Sequence, residues 1–132
     1  MEPSIFTKIV NGEIPSHKVY EDELTLAFMD IHPLQPGMVL VISKEQIANI
    51  EDLIEQTYGA VMATVHKVMR ALRKTYPHKL KIAMQVEGLD VQHVHVKIFP
   101  FDTPEEFHAK APTTEPDHAQ LASLAEKIRS NL

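Results

Sequence analysis

Val91-Gln92-His93-Val94-His95-Val96-Lys97-Ile98-Phe99-Pro100 is the stretch on which the fold turns. Polar and apolar residues alternate with the period of two of a β-strand. His93, His95 and Lys97 therefore share one face, and Val94, Val96 and Ile98 face a core. Neighbours on one face of a strand stand about 7 Å apart, twice the rise per residue. Two imidazoles and an ammonium in a row admit three readings. The row can be the wet side of an antiparallel sheet. It can be a phosphate site, where one neutral imidazole attacks phosphorus, the second supports it and Lys supplies a point charge for phosphoryl oxygens. It can also offer two nitrogens to a metal ion, although the sequence identifies no third or fourth ligand.

Working outward, a strand-like run over 80–86 precedes this stretch across Glu87-Gly88-Leu89-Asp90, a hairpin-short connection that implies antiparallel pairing. Further upstream, 17–21, 25–31 and the wholly apolar 38–42 read as strands, with His32-Pro33-Leu34-Gln35-Pro36-Gly37 as a turn. Ser4 is placed to N-cap a short helix carrying Ile5, Phe6, Ile9 and Val10, and Gly12 stands where it should stop. Over 52–75 the period becomes helical: Tyr58, Val61, Met62, Val65, Met69 and Leu72 form a stripe, Asp52 and Glu55 a capping pair, and Pro77 bars continuation. A last amphipathic helix is expected over 117–130 on Leu121, Leu124 and Ile128, and 101–116 reads as turn and loop. The sum is an α+β fold in a single domain over 1–132, an antiparallel sheet with helices on one face.

Composition narrows the function classes. The 132 residues suit one domain, and 44% hydrophobic with 23% charged residues suffices for a core. There is no cysteine, so disulfide, thiolate and Cys-zinc chemistry are excluded. Thirteen Lys and Arg against eighteen Asp and Glu give a net charge of −5, the wrong sign for a chain that grips nucleic acid through phosphates. No long apolar run and no leader are visible, so no membrane partner and a cytoplasmic location are expected. Lys67, Arg70, Arg73 and Lys74 read as the wet side of the long helix, His66 as surface or interface, and His78, His108 and His118 as solvated.

The run from His93 to Pro100 resembles the histidine-triad (HIT) motif, with Lys97 in place of the third His. Ser4-Ile5-Phe6-Thr7-Lys8-Ile9-Val10 with Gly12-Glu13-Ile14-Pro15 resembles that family's N-terminal helix and turn. Phe28-Met29-Asp30-Ile31-His32-Pro33 and Pro36-Gly37-Met38-Val39-Leu40-Val41-Ile42-Ser43-Lys44 resemble its second signature. The resemblance implies a five-stranded antiparallel sheet with a long and a short N-terminal helix, continuous across a homodimer. It implies a purine nucleotide ligand and cleavage at the α-phosphate of nucleoside phosphoramidates or dinucleoside polyphosphates, through a nucleotidyl-histidine and without metal or other cofactor. By position, His95 is then the nucleophile and His93 its support. Phe6, Ile9, Phe28, Ile31 and Leu40 hold the base, and Asp30 the ribose. Read by themselves, the five apolar residues can also be core, Ile31 and Leu40 at least as readily as pocket, and Asp30 is equally a turn cap.

Several positions depart from the pattern. Lys97 keeps a positive charge but cannot relay a proton as imidazole does. Met38 replaces a frequent His, and Ser43 the usual Pro. Leu89 stands where relatives place a phosphate-contacting Gln, and Asp90 adds negative charge near the expected phosphate. These losses motivate a second reading, a non-catalytic or strongly impaired nucleotide-binding protein. A third is a metal-binding interaction protein using His93 and His95.

Overall fold

The computed structural model describes residues 2–132. Five strands, β1 (Lys18–Glu21), β2 (Thr25–Met29), β3 (Val39–Ser43), β4 (Lys81–Gln85) and β5 (His95–Phe101), form one sheet in the order β1-β2-β3-β5-β4. Every neighbouring pair is antiparallel. The helices are α1 (Ile5–Val10), α2 (Glu55–Thr75), α3 (Pro104–Phe107) and α4 (His118–Arg129). The α+β fold with a five-stranded antiparallel sheet is as expected. Among the described residues no helix is long and apolar enough to cross a membrane.

Both faces of the sheet are covered, which corrects the expectation of helices on one side only. On one face Ala27, Met29, Val39, Val41, Val96 and Ile98 pack against Val61, Val65, Val68 and Leu72 of α2 and Leu121, Ala125 and Ile128 of α4. On the other, Leu26, Phe28, Leu40, Ile42 and Phe99 pack against Phe6 and Ile9 of α1, with Phe107 of α3 alongside. The central strands β2 and β3 are buried at every residue, which explains their runs of apolar side chains.

Several local expectations change. The long helix begins at Glu55, not Asp52. Asp52 closes a 3-10 turn over Ile50–Asp52, the extended Leu53 dips into the core, and Ile54 occupies the N-cap with no side-chain bond. Its buried face is also rotated: Thr57, Thr64 and Thr75 are buried whereas Tyr58 is exposed. Threonine is tolerated inside because its hydroxyl finds partners. Thr64 shares a 2.8 Å hydrogen bond with Thr25, and Thr75 donates to the Ala71 carbonyl. Next, β5 starts at His95, and 91–94 leave the ladder in a turn where the His93 N–H meets the Val91 carbonyl and the Val94 N–H meets that of Ile47. The link from β4 to β5 therefore spans residues 86–94, longer than a tight hairpin. Last, 101–116 is not all loop: Phe101 ends β5, and Thr103 caps the single turn of α3 through the Glu106 N–H. Arg73 likewise turns from solvent, donating to the carbonyls of Lys79 and Leu80.

Gly37, before β3, has φ +90°, and a Cβ there would lie 2.7 Å from a ring carbon of Tyr76. Only glycine suits both the conformation and the contact. Gly37→Ala should cost about 2 kcal/mol or more, read as a lower urea midpoint with an unchanged slope. Stability within a few tenths of the parent would refute this account.

Candidate active site

The site grows from the sheet face that carries His95, Lys97 and Phe99, the face on which α1 lies. His93 is fully buried just before β5. Its Nε2 lies 2.6 Å from the Ser43 carbonyl, which can only accept, so Nε2 carries the hydrogen. In the neutral ring Nδ1 then accepts, and the Ser4 hydroxyl donates to it at 2.7 Å. Ser4 is the N-cap of α1, its Oγ also accepting the Thr7 N–H. Gln46 completes the cluster, its Oε1 accepting from the Ser4 N–H and the Thr7 hydroxyl, each at 2.7 Å. Burial pushes the His93 pKa below its ordinary 6.5, against the Ser43 bond and with the help of neighbouring His95.

The His93 backbone carbonyl orients the next imidazole. His95 Nδ1 lies 2.8 Å from it and must donate, which leaves the Nε2 lone pair unprotonated in the neutral ring. His95 lines a cavity of about 180 Å³ shared with Asn49, Glu51, Glu87 and Gly88. The two histidines retain one uncommitted nitrogen between them, one fewer than the metal reading requires. The wet-face reading is corrected as well, because His93 and His95 are both buried.

Phe6 links this cavity to a second one. Its ring stands edge-on to His95 at 5.0 Å and to Phe28 at 5.7 Å. Phe6, Ile9, Phe28, Asp30, Ile31 and Leu40 all line a largely apolar cavity of about 130 Å³. Ile31 is 43% exposed and so belongs to the rim, whereas Leu40 is wall and core at once. Asp30 Oδ1 accepts the His32 N–H at 2.8 Å, the turn-capping role, while no bond engages Oδ2 among the described residues. Ile14, Pro15 and Ser16 join the lining. Their signal was the Ile-Pro after Gly12, which periodicity alone does not assign to a site.

The side chains of Leu89 and Asp90 are not brought in, although the Leu89 backbone N–H donates to Glu87. Both are exposed, Leu89 at 80%, and neither lines either cavity. Lys97 shares the face of His95 but is held by Glu87, 3.2 Å from Nζ to Oε1. Sequence reasoning missed Glu87 as a site residue, as it missed Ser4 and Gln46 as the support of His93. Outside the site, His118 is not simply solvated: its Nδ1 lies 2.9 Å from His17 Nε2.

Residues 11–103 match the HIT domain. The chain belongs to the HIT family. Its HIT relatives include protein hit of Bacillus subtilis, 38% identical over 75% of this chain and 71% of that one. The adenosine 5′-monophosphoramidase of Schizosaccharomyces pombe is 33% identical over 97% of both chains. Among solved HIT structures, a Hit-like protein involved in cell-cycle regulation from Bartonella henselae superposes with a TM-score of 0.85 at 32% identity, covering 98% of this chain and 96% of that one.

A pH dependence follows from the buried imidazole. Unfolded His93 titrates near 6.5 while native His93 titrates lower. As pH falls through 6.5 the unfolded chain binds a proton that the native state refuses, so stability falls with pH. Urea unfolding should show a loss of up to about 1.4 kcal/mol for each pH unit below that point. His93→Gln should reduce the loss, and His17, whose pKa burial also lowers, should supply part of what remains. An identical pH dependence in the variant would contradict the assignment.

Proposed function

We propose that the protein is a nucleotide hydrolase that cleaves nucleoside 5′-phosphoramidates, or related conjugates such as dinucleoside polyphosphates, at the α-phosphate, with His95 as nucleophile. The observation that carries this is the bond from His95 Nδ1–H to the His93 carbonyl, which leaves Nε2 as the attacking atom beside a cavity. Attack forms the Nε2–P bond and breaks the bond from phosphorus to the leaving amine, which takes up a proton from solvent water as it departs. The imidazole then bears positive charge, and the same carbonyl accepts from its Nδ1–H more strongly. Water next forms an O–P bond and breaks Nε2–P, releasing the nucleoside monophosphate, its proton passing to solvent and Nε2 regaining its lone pair. His93 positions His95 and does not touch phosphorus. Lys97 supplies charge for the phosphoryl oxygens.

The ligand is a purine mononucleotide or conjugate. A flat base fits the apolar cavity between Phe6, Ile9, Phe28 and Leu40, and the ribose hydroxyls reach Asp30 Oδ2. Similarity to an adenosine 5′-monophosphoramidase supports the activity, and retention of both His93 and His95 favours it over the non-catalytic reading. The assembly is a homodimer. In support, β4 is a free edge of the sheet, Met84 on it and the flanking Leu80 and Val86 are exposed, and Tyr58 is exposed on α2.

Single-turnover reaction with adenosine 5′-phosphoramidate tests the mechanism. Intact mass should show an adenylyl adduct, AMP should appear, and His95→Ala should remove both, lowering the rate at least about 10³-fold while AMP still binds. Equal turnover in that variant would refute the nucleophile. AMP binding without adduct or turnover in the parent would establish the non-catalytic reading. A monomeric mass in solution would refute the dimer.

A further inference from the structure

Residue 97 is where this chain departs most sharply from a row of three histidines, and its ammonium is not free. Lys97, 20% exposed, pairs with Glu87, 38% exposed, through Oε1. The second carboxylate oxygen, Oε2, accepts the Leu89 N–H at 3.1 Å. Glu87 lies two residues beyond Gln85, whose Cα pairs with that of Lys97 across β4 and β5. It also shares the wall of the cavity with His95. Gly88, at φ +69°, turns the chain so that the Leu89 N–H folds back onto the carboxylate, and a Cβ on Gly88 would stand 4.0 Å from His95 Cε1. The bond from Leu89, then the charge of Lys97, hold the Glu87 carboxyl below the usual range, so it is ionised at neutral pH.

One ammonium and one backbone N–H thus converge on an anionic oxygen pair beside the candidate nucleophile. These are the donors a phosphoryl group would use, and a carboxylate occupies them. We propose that Glu87 is a specificity-determining residue: its carboxylate fills the anion seat formed by Lys97 Nζ and the Leu89 N–H, and a phosphorus group must enter against it. This inference rests on the nucleotide reading given above. With Glu87 in place, the ammonium and carboxylate cancel, so the seat disfavours each added negative charge on the ligand. A phosphoramidate or phosphodiester carries one charge at phosphorus, whereas the product monophosphate is close to a dianion at neutral pH. Glu87 therefore favours the substrate over the product and speeds product release.

The test is calorimetric binding of AMP, the methyl ester of AMP and adenosine to the parent and to Glu87→Gln, which keeps size and shape and removes the charge. Glu87→Gln should tighten AMP about tenfold and the singly charged ester about threefold or less, a gain that shrinks in high salt, while adenosine is unchanged. The same variant should be inhibited by AMP at correspondingly lower concentration. Unchanged or weaker AMP binding, with adenosine still bound, would overturn the role of Glu87 and leave the nucleotide reading standing. Equal gains for AMP and adenosine would also overturn it, because the effect would not then act at the phosphate. Failure of the parent and the variant to bind all three ligands would overturn the nucleotide reading and this inference with it.

Discussion

The satisfied burial of the His93 ring is the constraint on which the rest of the site depends. An imidazole with no solvent contact must find a partner for each nitrogen or pay the desolvation of an unpaired polar group, about 1–3 kcal/mol. The Ser43 carbonyl and the Ser4 hydroxyl meet both. Those partners come from the end of β3 and the N-cap of α1, so one side chain joins the sheet to the short helix. The same demand pulls 91–94 out of the ladder and aims the His93 carbonyl at His95, thereby choosing its tautomer.

From that anchor the two cavities acquire their relation. Docking α1 places Phe6 edge-on to both His93 and His95, and Phe6 also forms the wall of the apolar cavity. On the proposed reading, a single aromatic ring thus separates the space for the base from the nucleophilic nitrogen. The opposite face of the sheet is packed by α2 and α4, and of that cluster Val94 and Ile50 reach the cavity beside His95. A site built on strands and an anchored helix needs little rearrangement to hold a flat ligand.

The charge pattern around His95 is the less expected part. A chain of net charge −5 has one lysine in its triad row, and that lysine is already neutralised by Glu87. The free protein therefore keeps little positive field where phosphate chemistry calls for it. The buried neutral His93 adds none, since its burial holds it deprotonated. On the proposed reading, anion recognition depends on geometry and on exchange of one acceptor for another more than on long-range attraction.

Much of this was legible in the sequence because it follows from local period. Alternation over 91–99 separated His95 and Lys97 from Val96 and Ile98, and apolar runs marked the buried strands. The Ser4 cap was readable because its partner lies three residues away. Phe6, Phe28, Leu40 and Asp30 were named as a group from the family resemblance, and folding brings them to one cavity. The start of α2 was misread because Asp52 and Glu55 satisfy a capping pattern, while burial of Leu53 decides where the chain can turn. By itself, then, the sequence determined the strands, the long helix, the family and the two histidines, all carried by short spacings. Only the tertiary structure decided that His93 is held by residues 4 and 43, that His95 presents Nε2, and that Glu87 rather than Leu89 or Asp90 meets the lysine. Those are contacts between segments far apart in the chain or across an irregular loop, where no periodicity records which atoms will meet.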